Sequence, residues 1–206
     1  MKFIKASLLS FLSLFFISCG ENTSSSPITD ISSISLNENN ITIYSTQLAK
    51  PLSATVTYQD GSRANATADV AWSSSDSSIL FASTGSIIAA NNGGDANLSI
   101  SYTDSFNDFT NVHIKKLISI EYSDVNISDI GTAQIVYISG TFENNETNVS
   151  LAANITYTSD ENTTISDVNA TQLTLTIDNN TSSILLRATL FIDTNNAQDF
   201  NTTFTY

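Results

Sequence analysis

Few residues in this 206-residue chain have side chains suited to covalent chemistry. There is one cysteine, Cys19, and one histidine, His113. A serine or cysteine nucleophile needs a neighbouring base, so any such arrangement would depend on His113 alone. Because His113 stands between the apolar residues Val112 and Ile114, strand alternation predicts a solvated side chain rather than a general base. Zinc needs several nitrogen or sulfur ligands, so we expect no metal site and no catalytic residue.

Carboxylates are numerous and could bind a cation or act in pairs. The chain has 20 Asp and Glu against 7 Lys and Arg, a formal net charge of -13. This surface would repel nucleic acid, which we exclude as a partner. Two segments concentrate oxygen donors, Asp104, Asn107 and Asp108 in one and Asp193, Asn195 and Asp199 in the other. Neither matches a defined calcium loop, so we predict no cofactor, with weak calcium binding as the alternative.

Asparagine carries the sharpest pattern in the sequence. Nine Asn-x-Ser/Thr triplets have Asp or Glu two residues before the asparagine: Asn40, Asn97, Asn126, Asn145, Asn148, Asn162, Asn169, Asn180 and Asn201. Acids are 20 of 206 residues, so chance would place an acid at this position about once. Asn97 and Asn126 alternate with apolar neighbours and should face solvent, and Asn180 should lie in a turn. The alternative is that Asp-x-Asn only stabilises turns in an Asn-rich chain.

The pattern Asp/Glu-x-Asn-x-Ser/Thr resembles the acceptor sequence of a periplasmic N-glycosylation system found in some Gram-negative bacteria. In that system the oligosaccharyltransferase reads the acid. The resemblance implies that the nine asparagines are glycosylation candidates. Glycans at these positions would add bulk and hydration to the surface.

The amino terminus has the layout of an export signal. Lys2 and Lys5 precede a short apolar run, residues 6–17, below the ~18–20 residues of a spanning helix. The run ends in Phe16-Ile17-Ser18-Cys19, which resembles a bacterial lipobox and implies acylation of Cys19. We therefore expect a lipoprotein signal peptide at 1–18, and a lipidated cysteine with a flexible polar tether at 19–29. The residues after the cysteine, which lack Asp, resemble those of outer-membrane lipoproteins, so we expect a lipid-anchored envelope protein.

Strands must position all of these residues, because alternation with period two recurs from residue 28 onward. Apolar residues alternate with polar ones in five segments, which begin at Leu52, Ala96, Ile118, Leu173 and Ile184. The segment Thr55–Asp76 also resembles Ser139–Asp160, which indicates an internal repeat of immunoglobulin size. We predict an all-β chain of two tandem immunoglobulin-like Greek-key sandwiches, at 30–116 and 117–206.

The first of these domains resembles the group 2 bacterial Ig-like domains. The resemblance is carried by VAWSSSDSSILFASTGSIIAANNGGDANLSISY, where the matching positions are Val70, Trp72, Ser74, Gly85, Ile87, Ala89, Gly94 and Ala96. It implies a sandwich of the kind used in surface adhesins and display stalks. The second domain matches less well, because Tyr157 replaces the tryptophan. We expect Trp72 to be a core residue rather than a ligand platform.

Together these features predict a non-enzymatic envelope lipoprotein that displays Ig-like modules for adhesion or protein interaction and is N-glycosylated. Its partners would be the membrane, through the lipid, and a protein or glycan that the sequence does not name. One alternative is an accessory subunit of an envelope complex. A second is a carbohydrate-binding or carbohydrate-active protein, which predicts a concave aromatic cleft with paired acids.

Overall fold

The computed structural model describes residues 30–47, 49–90, 92–148, 151, 155–193 and 196–205. The predicted signal peptide, Cys19 and the tether therefore lie outside the described residues, as does Asn195. Nearly all regular structure is β-strand, and the prediction of an all-β fold is confirmed. Within the described ranges, no helix has the length and hydropathy needed to cross a bilayer.

The described residues form eighteen strands, ten before Lys116 and eight after it. The first ten are β1 (Ile31–Leu36), β2 (Ile41–Tyr44), β3 (Lys50–Pro51), β4 (Ala54–Tyr58), β5 (Arg63–Asn65), β6 (Ala71–Ser74), β7 (Leu80–Ser83), β8 (Ser86–Ala89), β9 (Gly94–Tyr102) and β10 (Phe106–Lys115). The others are β11 (Leu117–Tyr122), β12 (Ala133–Phe142), β13 (Glu146–Asn148), β14 (Ile155–Ser159), β15 (Thr163–Ser166), β16 (Gln172–Ile177), β17 (Ser183–Asp193) and β18 (Asn196–Thr205). A 3₁₀ turn, Glu143–Asn145, connects β12 to β13.

Strand pairing defines two immunoglobulin-like sandwiches. In the second, one sheet has the order β11-β12-β16-β15 and the other β14-β17-β18, which is the ABED and CFG arrangement of constant-type Ig domains. In the first, β6-β9-β10 corresponds to β14-β17-β18, and β7-β8 corresponds to β15-β16. The first sandwich also has β2, which pairs in parallel with the outer edge of β10. We call strands β1–β10 the first sandwich and strands β11–β18 the second sandwich.

Each sandwich has its own hydrophobic core, formed by the inward residues of alternating strands. Leu98, Ile100 and Ile114 are fully buried in the first core, and Leu173, Leu175 and Ile177 in the second. Trp72 packs against the first core half-buried, and its Nε1 donates a hydrogen bond to the Thr67 carbonyl at 3.0 Å. The indole therefore has the packing role that we predicted for it, with its polar edge satisfied.

The structure differs from the sequence prediction at one alternation. The pattern places Ile118 inward with Ile120, but Ile118 is 55% exposed while Leu117 is fully buried. The pairing of β11 with β12 shifts register between Leu117 and Ser119. An extra residue in one strand reverses the alternation locally, so the inward position moves from Ile118 to Leu117.

Candidate functional site

The two sandwiches meet at a junction with one residue, Lys116, between β10 and β11. Buried Ser45 joins both sides: its amide donates to the Lys115 carbonyl at 2.9 Å, and its Oγ accepts from the Leu117 amide at 2.9 Å. The Glu143 amide of the second sandwich donates to the Lys116 carbonyl at 3.0 Å. The connection is therefore held on both faces by hydrogen bonds rather than left as a flexible linker.

Aromatic and charged side chains close the same junction. Tyr44 of β2 packs against the second core, with its ring 4.7 Å from that of Phe142 in an edge-to-face arrangement. Glu146 accepts a hydrogen bond from the Tyr44 hydroxyl at 2.5 Å and pairs with the Lys115 ammonium group. The hydrogen bond from Lys115, followed by that from Tyr44, lowers the pKa of Glu146 and keeps it ionised.

His113 lies in this junction, where its side chain is 33% exposed rather than fully solvated. Its Nδ1 is 2.9 Å from the Asp95 carboxylate on neighbouring β9, and its Nε2 is 2.5 Å from the Glu143 carboxylate of the second sandwich. Val112 and Ile114 do point inward, so the outward direction of His113 was correct. The second sandwich covers that outward face, which no property of β10 alone could indicate.

The environment of His113 favours its charged form. Burial, the largest single effect, lowers its pKa, but the hydrogen bonds and charges of Asp95 and Glu143 together outweigh burial and raise the pKa. A neutral imidazole has one N–H group, whereas two are needed to donate to both carboxylates. The geometry therefore fits an imidazolium that links the two sandwiches.

The glycosylation candidates lie on different kinds of structure. Among those whose side chains are described, all but half-buried Asn162 are exposed, which confirms the expected exposure of Asn97 and Asn126. Asn97 and Asn201 lie within β9 and β18, Asn145 in the 3₁₀ turn, and Asn148 at the end of β13. The remaining five, Asn40, Asn126, Asn162, Asn169 and Asn180, lie in connections between strands.

Most of the acids two residues before these asparagines have structural partners. Besides the three at the junction, Glu38 pairs with Lys50 at 2.9 Å. Asp178 and Asp199 each accept a hydrogen bond from a threonine hydroxyl at 2.7 Å. The carboxylate of Asp124, by contrast, is exposed and accepts no hydrogen bond from any described residue.

Turn stabilisation, the alternative explanation for the acid, accounts for one candidate. Asp160 accepts hydrogen bonds from the amides of Asn162 at 3.0 Å and Leu185 at 2.9 Å, so it shapes the β14–β15 turn. At Asn126 and Asn169 the asparagine itself accepts from the amide two residues later. Turn chemistry thus explains the asparagine at those two positions but not the acid before it.

A tenth asparagine belongs with this set as a comparison. Asn179-Asn180-Thr181 is also an Asn-x-Thr triplet, but Ile177 stands two residues before Asn179. Asn179 and Asn180 are both exposed in the β16–β17 connection. The overlap of two triplets in Asn-Asn-Thr-Ser was visible in the sequence, and the two adjacent residues differ in whether an acid precedes them.

Among the described residues, no group of three or more His, Cys, Asp or Glu side chains has metal-binding spacing. Asp108 is used structurally: one oxygen accepts from the Leu36 amide at 2.8 Å and attaches β1 to β10. Asp104 is exposed in the β9–β10 connection, and Asn107 is exposed within β10.

A groove of about 550 Å³ lies on the second sandwich and bears on the carbohydrate alternative. It is lined by Glu121, Tyr122, Ser123, Tyr137, Ile138, Ser139 and Thr171. Tyr137 is 60% exposed, but the Tyr122 ring packs into the core with its hydroxyl buried, and burial raises its pKa. The lining thus presents one exposed aromatic ring and one acid, Glu121, rather than the paired acids that glycoside hydrolysis needs.

No protein-family model matches the chain, and no curated protein matches it in sequence. The chain is similar to a solved structure of domains 1–6 of surface layer protein SbsC, with 17% identity over 84% of this chain and 28% of that one, and a TM-score of 0.37. It is also similar to SbsC domains 4 and 5, with 16% identity over 84% of this chain and 97% of that one, and a TM-score of 0.34. Adhesin InvE of Yersinia pseudotuberculosis gives 15% identity over 85% of this chain and 60% of that one, and a TM-score of 0.30.

The chain thus spans 28% of the length of the first SbsC structure. The immunoglobulin-like fold is assigned from the strand pairing described above and not from these similarities. The resemblance to group 2 bacterial Ig-like domains stays a prediction, since no family model tests it.

Proposed function

We propose that this chain is a non-enzymatic envelope lipoprotein, anchored through Cys19, that displays two Ig-like modules for adhesion or protein interaction and carries N-linked glycans. The observation that carries the proposal is the closed junction, which joins the sandwiches end to end. A closed junction transmits the orientation of the first sandwich to the second, as a display stalk requires.

The course of the chain supports an end-to-end arrangement. Asp30 lies beside Gln59, its carbonyl accepting the Gln59 amide at 2.9 Å. From there the chain advances along β10 until Tyr44 lies opposite Lys115 at the junction. Asp30, the first described residue, therefore lies at the pole of the first sandwich that faces away from the junction, and the second sandwich lies beyond the junction.

Anchoring rests on the leader and the lone cysteine. Acylation would use the one thiol of the chain, and two or three acyl chains hold a protein stably at a bilayer. The resemblance of the residues after Cys19 to those of outer-membrane lipoproteins supports an outer-membrane location. The exposed asparagines preceded by acids support the glycan part of the proposal, because a transferase needs both groups accessible.

The intact mass of the protein from its native membrane fraction tests the proposal. We expect a chain that starts at Cys19, with the mass of acyl chains and repeated glycan increments. Cys19→Ser should release the protein from membranes, whereas His113→Gln, a single substitution far from the leader in the sequence, should leave it anchored. A native mass without lipid would refute anchoring, and a native mass with lipid but no glycan would refute glycosylation alone.

A further inference from the structure

The fold sorts the candidate asparagines by whether a transferase could reach both the asparagine and the acid in the folded chain. This inference rests on the proposed N-glycosylation, in which the acid two residues before the asparagine is read as a free carboxylate. The transferase would need that carboxylate to be unpaired or weakly paired. It would also need the backbone around the asparagine to move out of its hydrogen-bonded position.

Contacts at the junction restrict access to three of the candidate asparagines in the folded chain. The acids that precede Asn97 and Asn145 are Asp95 and Glu143, and both contact the His113 ring. The acid that precedes Asn148 is Glu146, which Lys115 and Tyr44 bind. Freeing any of these acids breaks contacts that join or support the two sandwiches.

Backbone pairing further restricts access to two of these three sites. Asn97 pairs with Asn111 in the centre of its sheet, and Ser75 bonds both its amide and its carbonyl at 2.9 Å. Asn148 pairs with Gly140. Releasing a central strand costs a free energy near that of global unfolding, so Asn97 is the most strongly closed site.

Four more candidates are held less tightly but still in place. Asn162 is half-buried, and its acid caps the β14–β15 turn. Asn201 of β18 pairs with Arg187 of β17. Asn169 accepts three hydrogen bonds from Thr171 and Gln172, and Asn40 has left-handed backbone and an acid paired with Lys50.

Asn126 and Asn180 are held more loosely. The Asn126 side chain accepts one hydrogen bond, from the Ser128 amide at 3.2 Å, whereas that of Asn169 accepts three. The backbone of Asn126 is held by the carboxamide of one side chain, Gln134, and by a local turn, and its acid, Asp124, is exposed. Asn180 follows β16 in a connection that is exposed at Asp178, Asn179 and Asn180, and the contact of Asp178 is one exposed threonine hydroxyl.

These two sites lie at the same end of the molecule. β11 leaves the junction at Leu117, so the β11–β12 connection lies at the opposite pole, and antiparallel pairing brings the β16–β17 connection to it. The Gly131 amide donates to the Ile177 carbonyl at 2.8 Å and ties the two connections together. We call this end, formed by residues 123–132 and 178–182, the distal pole.

We propose that the folded chain accepts N-linked oligosaccharide at Asn126 and Asn180, and that the distal pole is its glycosylated surface. In the reaction, the Asn Nδ2 forms a bond to the anomeric carbon of a lipid-pyrophosphate-linked oligosaccharide. The bond from that carbon to the pyrophosphate oxygen breaks, the lipid pyrophosphate leaves with the electron pair, and the amide nitrogen loses one proton. The seven other candidates accept glycan only before the chain folds.

A reconstituted transfer reaction tests this. The full chain, made in a host without N-glycosylation and purified folded, is incubated with a purified bacterial oligosaccharyltransferase of the acid-reading type and its lipid-linked donor. Synthetic peptides that span the nine sites are incubated in parallel, and peptide mass spectrometry gives the occupancy of each asparagine. We expect most peptides to be modified, but folded chain to be modified at Asn126 and Asn180 roughly tenfold or more above Asn97 and Asn145.

Two built-in comparisons separate accessibility from recognition of the acid. Asn179 is as exposed as its neighbour Asn180 but has no acid at the required position, so glycan should be found on Asn180 and not on Asn179. Asp178→Asn should remove modification at Asn180 and leave Asn126 unchanged, because the amide oxygen preserves the hydrogen bond from Thr164.

Comparable occupancy of Asn97 or Asn145 in the folded chain would overturn the distal-pole assignment while leaving glycosylation in place. Equal occupancy of Asn179 and Asn180 would overturn the reading of the acid. If neither the peptides nor the folded chain is modified, the proposed glycosylation fails, and the distal-pole assignment fails with it.

Discussion

Replacing His113 with glutamine should weaken the junction in a pH-dependent way. In the native chain the imidazolium donates to Asp95 within its own sandwich and to Glu143 across the junction. Glutamine has similar length and can still donate to one of the two carboxylates from its single amide nitrogen, but it carries no charge. The substitution therefore removes the charged contacts and disturbs the surrounding packing little.

The size of the expected loss of stability follows from how exposed the three side chains are. The His113 side chain is 33% exposed, that of Asp95 65% and that of Glu143 27%. Charge pairs of this partly exposed kind contribute ~0.2–1 kcal/mol each because water screens them. The two contacts together should stabilise the folded chain by about 1 kcal/mol at moderate ionic strength, and by less at high salt.

The sign of the pH dependence is set by the raised pKa of His113 in the folded chain. A histidine bound to carboxylates contributes its full stability below its unfolded pKa, ~6.5. That stability is lost as pH rises through the higher folded pKa. His113→Gln should therefore lower the free energy of unfolding by about 1 kcal/mol at pH 6 and change it little at pH 9.

The assay benefits from the presence of a single histidine. NMR titration of its imidazole resonances gives the folded pKa without assignment, and urea denaturation at the two pH values gives the free energies of unfolding. Glu143→Gln and Asp95→Asn should each lower the measured pKa, and of these only Glu143→Gln removes a contact between the sandwiches. A folded pKa at or below that of a model peptide, or an equal effect of His113→Gln at both pH values, would refute the reasoning.

Three further substitutions test the packing, each read by urea denaturation. Phe142→Ala should cost about 3–5 kcal/mol, since it empties a fully buried site and removes the ring that Tyr44 contacts, whereas exposed Ile118→Ala should cost less than about 0.5 kcal/mol. Gly140→Ala should cost about 1–3 kcal/mol, because the new Cβ would lie 2.5 Å from a buried leucine side chain. Asp108→Ala should cost about 1.5–3 kcal/mol, the range for a hydrogen bond to a charged acceptor, here from the Leu36 amide.

Each of these has an outcome that contradicts it. Equal costs for Phe142→Ala and Ile118→Ala would place the β-bulge of β11 elsewhere. A neutral or stabilising Gly140→Ala would mean that the neighbouring side chains can move aside. An unchanged stability of Asp108→Ala would show that β1 is held without this carboxylate.

Much of the fold follows from local sequence. Alternation identified the buried sets Leu52, Ala54 and Val56, and Leu173, Leu175 and Ile177, because side chains on a strand point to opposite faces in turn. The same rule placed Asn97 correctly on the outer face. It failed at Ile118, where a register shift depends on how β11 meets β12 rather than on β11 itself.

The sequence by itself determined which asparagines have an acid two residues before them, that one cysteine follows an export-like leader, and that the chain consists of strands. Only the tertiary structure decided the environment of His113 and the accessibility of the acids. Glu143 and Glu146 are far apart in sequence from the side chains that bind them, and their pairing depends on how the two sandwiches meet at Lys116. Asp95 meets His113 through the pairing of β9 with β10. Periodicity reports the direction of a side chain from its own strand, whereas burial of an outward face depends on which part of the chain packs against it.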